Sequence, residues 1–143
     1  MKAIIIGCGR TGSSVAHHMH DAGWEVVVVD EDEEALSNLG TRWPGRFIVG
    51  HGLDINVLVE SGIESAEAVV VSTDGDNTNI VIGLIAQRRF HVERVVVRVL
   101  DPARAGFFAE RGLHTVCPTS IAIGALTEAA LVSEMVSTEG ASI

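Results

Sequence analysis

The chain has 143 residues, the size of one domain, and 47% of them are hydrophobic, with aromatics at only 4% and no Tyr. Its core must therefore be built from Val, Ile, Leu and Ala, as in a parallel sheet covered on both faces. A formal net charge of −9 argues against partnership with nucleic acid or an anionic membrane surface, since both require basic protein surface.

Met1-Lys2 leads directly into an apolar run, so no signal peptide is expected, and no run reaches the length of a membrane span. Cys8 and Cys117 are far apart and form no spaced metal motif. A reducing, cytosolic compartment is the simplest reading.

Residues 3–6 read as a buried strand, followed at once by Gly7-Cys8-Gly9-Arg10-Thr11-Gly12. Residues 13–22 then read as a helix, with Val15, Ala16 and Met19 at helical spacing, and residues 25–29 as a second strand ending in Asp30. This is a G-x-G-x-x-G turn in full context: strand, glycines, helix, strand, acid. Gly7 permits the tight turn, Gly9 lets backbone approach a pyrophosphate, and Gly12 lets the helix pack on the sheet. The helix N-terminus offers N–H groups and partial positive charge to phosphates, and Asp30 is placed to accept hydrogen bonds from ribose hydroxyls. A turn that merely packs a helix on a strand would explain Gly12 but leave Gly7, Gly9 and Asp30 without a reason.

After Asp30, Glu31-Asp32-Glu33-Glu34 suits the first turn of a helix bearing Ala35, Leu36 and Leu39 and ending at Gly40. The same carboxylates would repel a ribose 2′-phosphate, which disfavours NADP. Residues 46–49 read as a third strand. Gly50-His51-Gly52-Leu53-Asp54 follows, either an ordinary turn or a place where backbone approaches a ligand base, with Asp54 as N-cap of a helix over 55–61.

Residues 66–71 form the fourth strand, running into Ser72-Thr73-Asp74-Gly75-Asp76-Asn77-Thr78-Asn79. In a doubly wound sheet this loop faces the glycine turn across the crevice where strand order reverses. It is a candidate ligand wall, with Asp76 expected to cap a helix over 80–89. Residues 94–100 are the fifth strand and carry Arg98 within an apolar run; a buried arginine needs an anion, and Asp74, Asp101 and a ligand phosphate are the candidates. Asp101-Pro102 opens a short helix to Arg111, residues 113–116 are a sixth strand, and the last helix covers about 120–137.

In that helix Ile121, Ile123, Ala125, Leu126, Ala129, Ala130, Leu131, Val132, Met135 and Val136 nearly encircle the axis. A helix apolar all round needs a partner, either a second copy of the chain or another domain. Residues 138–143 read as a tail, and no repeat, linker or second domain is expected.

Nucleophile motifs and a Walker-type phosphate loop are lacking. His17 and His20 share a helix face that reads as solvated rather than metal-binding. His51, near the crevice, is a possible general base that nothing adjacent in sequence orients. Cys8, at a helix N-terminus, is either a reactive thiol or a small residue filling the turn.

Taken together, the residues resemble the N-terminal nucleotide-binding domain of RCK (also KTN, or TrkA N-terminal) proteins, cytosolic regulators of Trk and Ktr potassium uptake and of some potassium channels. The resemblance rests on Gly7-Cys8-Gly9-Arg10-Thr11-Gly12, Val29-Asp30, Val49-Gly50-His51-Gly52-Leu53-Asp54, Ser72-Thr73-Asp74, Asn79, and Val97-Arg98-Val99 before Asp101-Pro102. It implies an α/β, doubly wound Rossmann fold of six parallel strands in order 3-2-1-4-5-6 with helices on both faces. The domain would span 1–137, with a dimerisation helix at about 119–137 and no C-terminal RCK domain.

The resemblance also implies NAD(H) or ATP/ADP bound as a ligand and not as a reactant. Gly7, Gly9, Arg10 and Gly12 would hold phosphates, with Arg10 as the charged partner, Asp30 would hold the ribose, His51 and Gly52 would lie by the adenine, and Thr73 and Arg98 would line the phosphate side; Cys8, Thr11, Glu31, Asp54, Ser72, Asp74 and Asn77 are the further residues expected around the ligand. No catalytic or metal residue is implied. The expected protein is a homodimer, possibly a higher ring, at the inner face of the membrane beside an integral potassium transporter or channel subunit. A small NAD-dependent oxidoreductase with a site across a dimer, and a regulatory domain of another cation antiporter, are the alternatives.

Overall fold

In the computed structural model the backbone is described for residues 1–141 and side chains through residue 132. The chain forms β1 (Lys2–Ile6), α1 (Arg10–Asp21), β2 (Glu25–Asp30), a 3-10 helix (Glu33–Asn38), β3 (Arg46–Val49), α2 (Ile55–Ser61), a 3-10 turn (Ile63–Ser65) and β4 (Ala68–Val71). There follow α3 (Asp76–Leu84) with a π-helical turn (Ile85–Arg89), β5 (Arg94–Arg98), α4 (Pro102–Ala109), β6 (His114–Val116) and α5 (Pro118–Ala141).

The strands form one parallel sheet in the order β3-β2-β1-β4-β5-β6, as expected. The continuous apolar runs are explained by burial on both faces. Ile4, Ile6, Val27 and Val29 pack with Leu58 of α2 and with Ile80 and Ile82 of α3. Ile5, Val26 and Val28 pack on the opposite face with Ala16 of α1 and Leu39. Each such side chain, fully withdrawn from water, contributes about 1.5–3 kcal/mol before the entropy of ordering is counted. Strand order reverses between β1 and β4, so their carboxyl ends open a crevice where a ligand is expected in such sheets.

Several expected boundaries move. Helix α1 starts at Arg10, directly after Gly9, and not at residue 13. The acidic run forms only a 3-10 helix: it has no fully buried residue to extend it, and Asp32 already caps it by accepting the Glu34 N–H. Helix α3 begins at Asp76 with Gly75 as its N-cap, so Asp76 is not the cap that was expected. After Leu84 the helix loosens into the π turn, and the Ala86 carbonyl takes the Val92 N–H as the chain turns toward β5. Helix α5 runs past residue 137 to Ala141; the side chains of Met135 and Val136, and residues 142–143 of the expected tail, lie outside the described residues.

Candidate functional site

The glycine turn is built by three different constraints. Gly7 has φ 102°, a conformation that L side chains rarely adopt, and a Cβ there would stand 2.6 Å from the Ser72 carbonyl oxygen. A Cβ on Gly12 would fall 1.7 Å from the Gly7 carbonyl oxygen, so the first turn of α1 sits flush on the turn that precedes it. Gly9 is the opposite case: it is exposed, and a Cβ would meet nothing within 4 Å. It is the N-cap of α1 and, among the described residues, no side chain caps that helix. The first-turn N–H groups and the positive end of the helix dipole are left for an anion.

Asp30 closes the turn from the neighbouring strand. Its Oδ2 accepts the Cys8 N–H at 2.7 Å and its Oδ1 the Asp32 N–H at 2.8 Å. A carboxylate has about four lone-pair positions, so both oxygens can still accept hydroxyls. Cys8 is fully buried and its thiol donates to the Ala35 carbonyl. Burial, with the Asp30 charge adding to it, pushes the thiol up to about 11. Burial thus argues against a reactive thiolate at Cys8, and the residue fills the turn.

A cleft of about 590 Å³ runs along the carboxyl ends of the central strands. Gly7, Cys8, Gly9, Asp30 and Glu31 line one side, His51 and Gly52 the end, and Ser72, Thr73 and Asp74 the facing wall. Gly75 and Thr78, at the start of α3, line it as part of the polar loop expected to form a wall, and Ser37 and Asn38 from the 3-10 helix also line it and were missed in the sequence. Asn38 donates to the Cys8 carbonyl at 2.8 Å, but no motif announces it. His51 is oriented after all: its Nδ1 accepts the Leu53 N–H at 3.1 Å, which leaves Nε2 to carry a proton toward Glu31 at 3.6 Å. Gly50 and Gly52 are dictated by packing, since a Cβ would collide with Val57 at the first and with Ile6 and Ile82 at the second.

The remaining expected residues do not line the cleft. Arg10 is exposed at the start of α1. Thr11 and Gly12 lie in that helix's first turn, and Asp54 caps α2 by accepting the Asn56 N–H at 2.9 Å. Asn77 accepts from Arg104. Arg98 pairs with neither of the two carboxylates proposed for it, Asp74 and Asp101. Its Nη2 donates to the carbonyls of Thr73 at 2.8 Å and Ser72 at 3.3 Å, and its Nη1 to Thr11 Oγ1 at 3.3 Å. Backbone carbonyls here replace the expected carboxylate. Its Nε and the Ser72 hydroxyl, both buried, have no partner among the described residues.

Asn79, 1% exposed, supports the same wall. Its Oδ1 accepts the Thr73 N–H and hydroxyl, and its Nδ2 donates to the Thr73 and Arg98 carbonyls, each at 3.0 Å. Asp76 accepts the Leu100 and Asp101 N–H groups at 2.8 and 3.0 Å. Desolvation, the largest influence on its carboxyl, raises the pKa, but those two N–H groups with Arg104 and Arg98 bring it below its ordinary value.

His17 and His20 stand edge-on to Trp43, and the Nε2 of His17 donates to the Leu39 carbonyl at 2.8 Å. Among the described residues no group of His, Cys, Asp and Glu is placed to hold a metal ion, and no helix is long and apolar enough to cross a membrane.

The cleft combines an open glycine, an uncapped helix N-terminus and a carboxylate fixed across the turn. These fit the phosphates and ribose of a nucleotide. The lining carries Asp30, Glu31, Asp32, Glu34 and Asp74 and no Lys or Arg, so a further phosphate on the ribose would meet carboxylates.

The sequence matches the TrkA-N domain family over residues 3–119. It is 40% identical over 116 residues to the Trk system potassium uptake protein TrkA of Streptomyces coelicolor, an alignment covering 81% of this chain and 52% of that protein. The chain thus spans about half the length of that relative. Among solved structures, the AMP-bound form of the Shewanella denitrificans Kef CTD superposes with a TM-score of 0.78 at 19% identity, over 92% of this chain and 80% of the other. GsuK bound to ADP gives 0.75 at 22% identity, over 88% of this chain and 32% of the other. At these identities the likeness establishes the fold.

Proposed function

The chain belongs to the TrkA-N domain family, and from that premise we propose that it is a nucleotide-binding regulatory module, not an enzyme, that gates a potassium transporter or channel from the cytoplasmic side of the membrane. The observation that carries the proposal is the glycine turn locked by Gly12 on one side and Asp30 on the other, with Gly9 left open above it. The relative named for Trk potassium uptake supports the transport role, and the AMP- and ADP-bound neighbours support an adenine nucleotide.

Gly9, Arg10 and the first-turn N–H groups of α1 would hold phosphates, Asp30 the ribose, and His51 and Gly52 the adenine end; Ser72 and Thr73 would face the phosphates. The ligand is NAD(H) or ATP/ADP, with NADP disfavoured by the acidic lining. The module works as a homodimer, or a higher ring, through α5, where Ile121, Ile123 and Leu126 are 62%, 58% and 71% exposed. Nucleotide would act by binding one assembly shape more tightly than another.

The test is calorimetric titration with NAD⁺, NADH, ATP and ADP, with light scattering to follow assembly and absorbance to follow the nicotinamide. Binding with a change in assembly and no consumption of ligand is the expected result. No binding to any of the four, or turnover of the nicotinamide, would overturn the proposal.

A further inference from the structure

The cleft holds a wall that is itself held from behind. The peptide of Thr73 is gripped on both sides: Asn79 Nδ2 and Arg98 Nη2 both donate to its carbonyl, at 3.0 and 2.8 Å, while Asn79 Oδ1 takes its N–H. Arg98 reaches on to the Ser72 carbonyl and to Thr11 in the first turn of α1. One guanidinium therefore spans β5, the end of β4 and the helix N-terminus. Ser72 and Thr73 line the cleft and Arg98 does not.

We propose that Arg98 is a positioning residue of the nucleotide site, acting with Asn79: it sets the separation between the uncapped end of α1 and the Ser72–Thr73 wall, and so the fit of the ligand's phosphates, without touching them. This rests on the nucleotide reading above. The geometry requires a planar fork, because one nitrogen serves two carbonyls while another serves a hydroxyl on a different element. A lysine ammonium is a compact point charge on a flexible stem and cannot keep all three. Were Arg98 a direct charge partner of phosphate, Arg98→Lys would keep the charge and the salt dependence of binding, while Arg98→Gln would flatten it.

The experiment measures ADP affinity by calorimetry in the unchanged chain and in Arg98→Lys, Arg98→Gln and Thr11→Val, each at several salt concentrations, with thermal unfolding of each. Arg98→Lys and Arg98→Gln are expected to weaken ADP equally, by about tenfold or more. The salt dependence should stay that of the unchanged chain, because no phosphate–cation contact is lost. Thr11→Val removes only the acceptor on α1, and is expected to weaken ADP a few-fold with an unchanged unfolding midpoint.

Near-normal affinity in Arg98→Lys, or a flattened salt dependence in Arg98→Gln, would overturn the proposal in favour of direct contact. If the Arg98 variants do not fold, Thr11→Val decides alone, and unaltered affinity there overturns it. Absence of ADP binding in the unchanged chain is a different failure. It removes ADP as a ligand before any variant is made, and takes this inference with it.

Discussion

Asp30 Oδ2 accepts the backbone N–H of Cys8 at 2.7 Å, so the acid at the end of β2 closes the glycine turn that follows β1. The residue expected to hold ribose is thus also part of the turn's own structure. Removing it leaves the buried N–H of Cys8 without an acceptor, which costs about 1–3 kcal/mol. Asp30→Ala should therefore lower the thermal midpoint as well as abolish nucleotide binding. An unchanged midpoint in a chemical or thermal melt would show that the turn does not depend on this bond.

Gly9 and Gly12 should respond in opposite ways. Gly9→Val adds a side chain in open space at ordinary backbone angles, and loses only the advantage of glycine at an N-cap, under about 1 kcal/mol. It should fold normally and fail to bind nucleotide. Gly12→Ala places a methyl group 1.7 Å from the Gly7 oxygen and must push α1 off the turn, at a cost of about 1–3 kcal/mol or more. Comparable melts for the two variants would contradict this division of labour.

How much of this was legible beforehand depends on range. The fold and the β1–α1–β2 unit could be read because periodicity, glycine chemistry and the acid all act within one short stretch: Gly7 makes the turn and Gly12 seats α1 on it as their spacing implied, and Gly9 and Asp30 line the cleft beside them. Asp54 was readable for the same reason, as a local cap. The errors concern contacts between distant segments. Arg98 was expected to pair with Asp74, Asp101 or a ligand phosphate because burial demanded a partner; carbonyls of Ser72 and Thr73 take its Nη2 in place of either carboxylate, and only the β4–β5 neighbourhood in space reveals them. Asp76 looked like a local cap but serves Leu100 and Asp101 across the sheet. Glu31, in the neighbouring strand's loop, lies 3.6 Å from His51, a proximity with no sequence signal.

The two cysteines should behave differently toward alkylation. Cys8 is buried and its thiol is raised to about 11, whereas the hydroxyl of Ser120, donating to the half-buried Cys117 sulfur, lowers that thiol. Near pH 8, iodoacetamide should label Cys117 at least about tenfold faster, with Cys8 protected until the chain unfolds. Peptide mapping by mass spectrometry reads both sites, and equal rates would contradict the burial of Cys8.

The raised Cys8 thiol also sets a sign for alkaline stability. Its ordinary value is 9.0, so the unfolded chain gives up this proton first. Its contribution is therefore complete below pH 9 and is lost as pH rises toward about 11. Denaturant melts between pH 8 and 11 should show the unchanged chain losing stability more steeply than Cys8→Ala, which lacks the titrating group. Parallel curves would mean that Cys8 ionises as freely in the folded chain as in the unfolded one.

Helix α5 presents Ile123 and Leu126 to solvent at 58% and 71% exposure within a run of apolar residues. Exposure of this kind is costly unless a partner covers it. If α5 forms the dimer proposed above, Ile123→Asp and Leu126→Asp should each shift the protein from dimer to monomer, because a carboxylate buried at an interface without a counter-charge loses several kcal/mol of hydration. The fold should survive, since neither side chain belongs to the two buried clusters on the faces of the sheet. Size-exclusion chromatography with light scattering measures the mass directly. If the mass of both variants equals that of the unchanged chain, α5 is not the dimer contact; if only Leu126→Asp dissociates, the interface is centred nearer the middle of the helix.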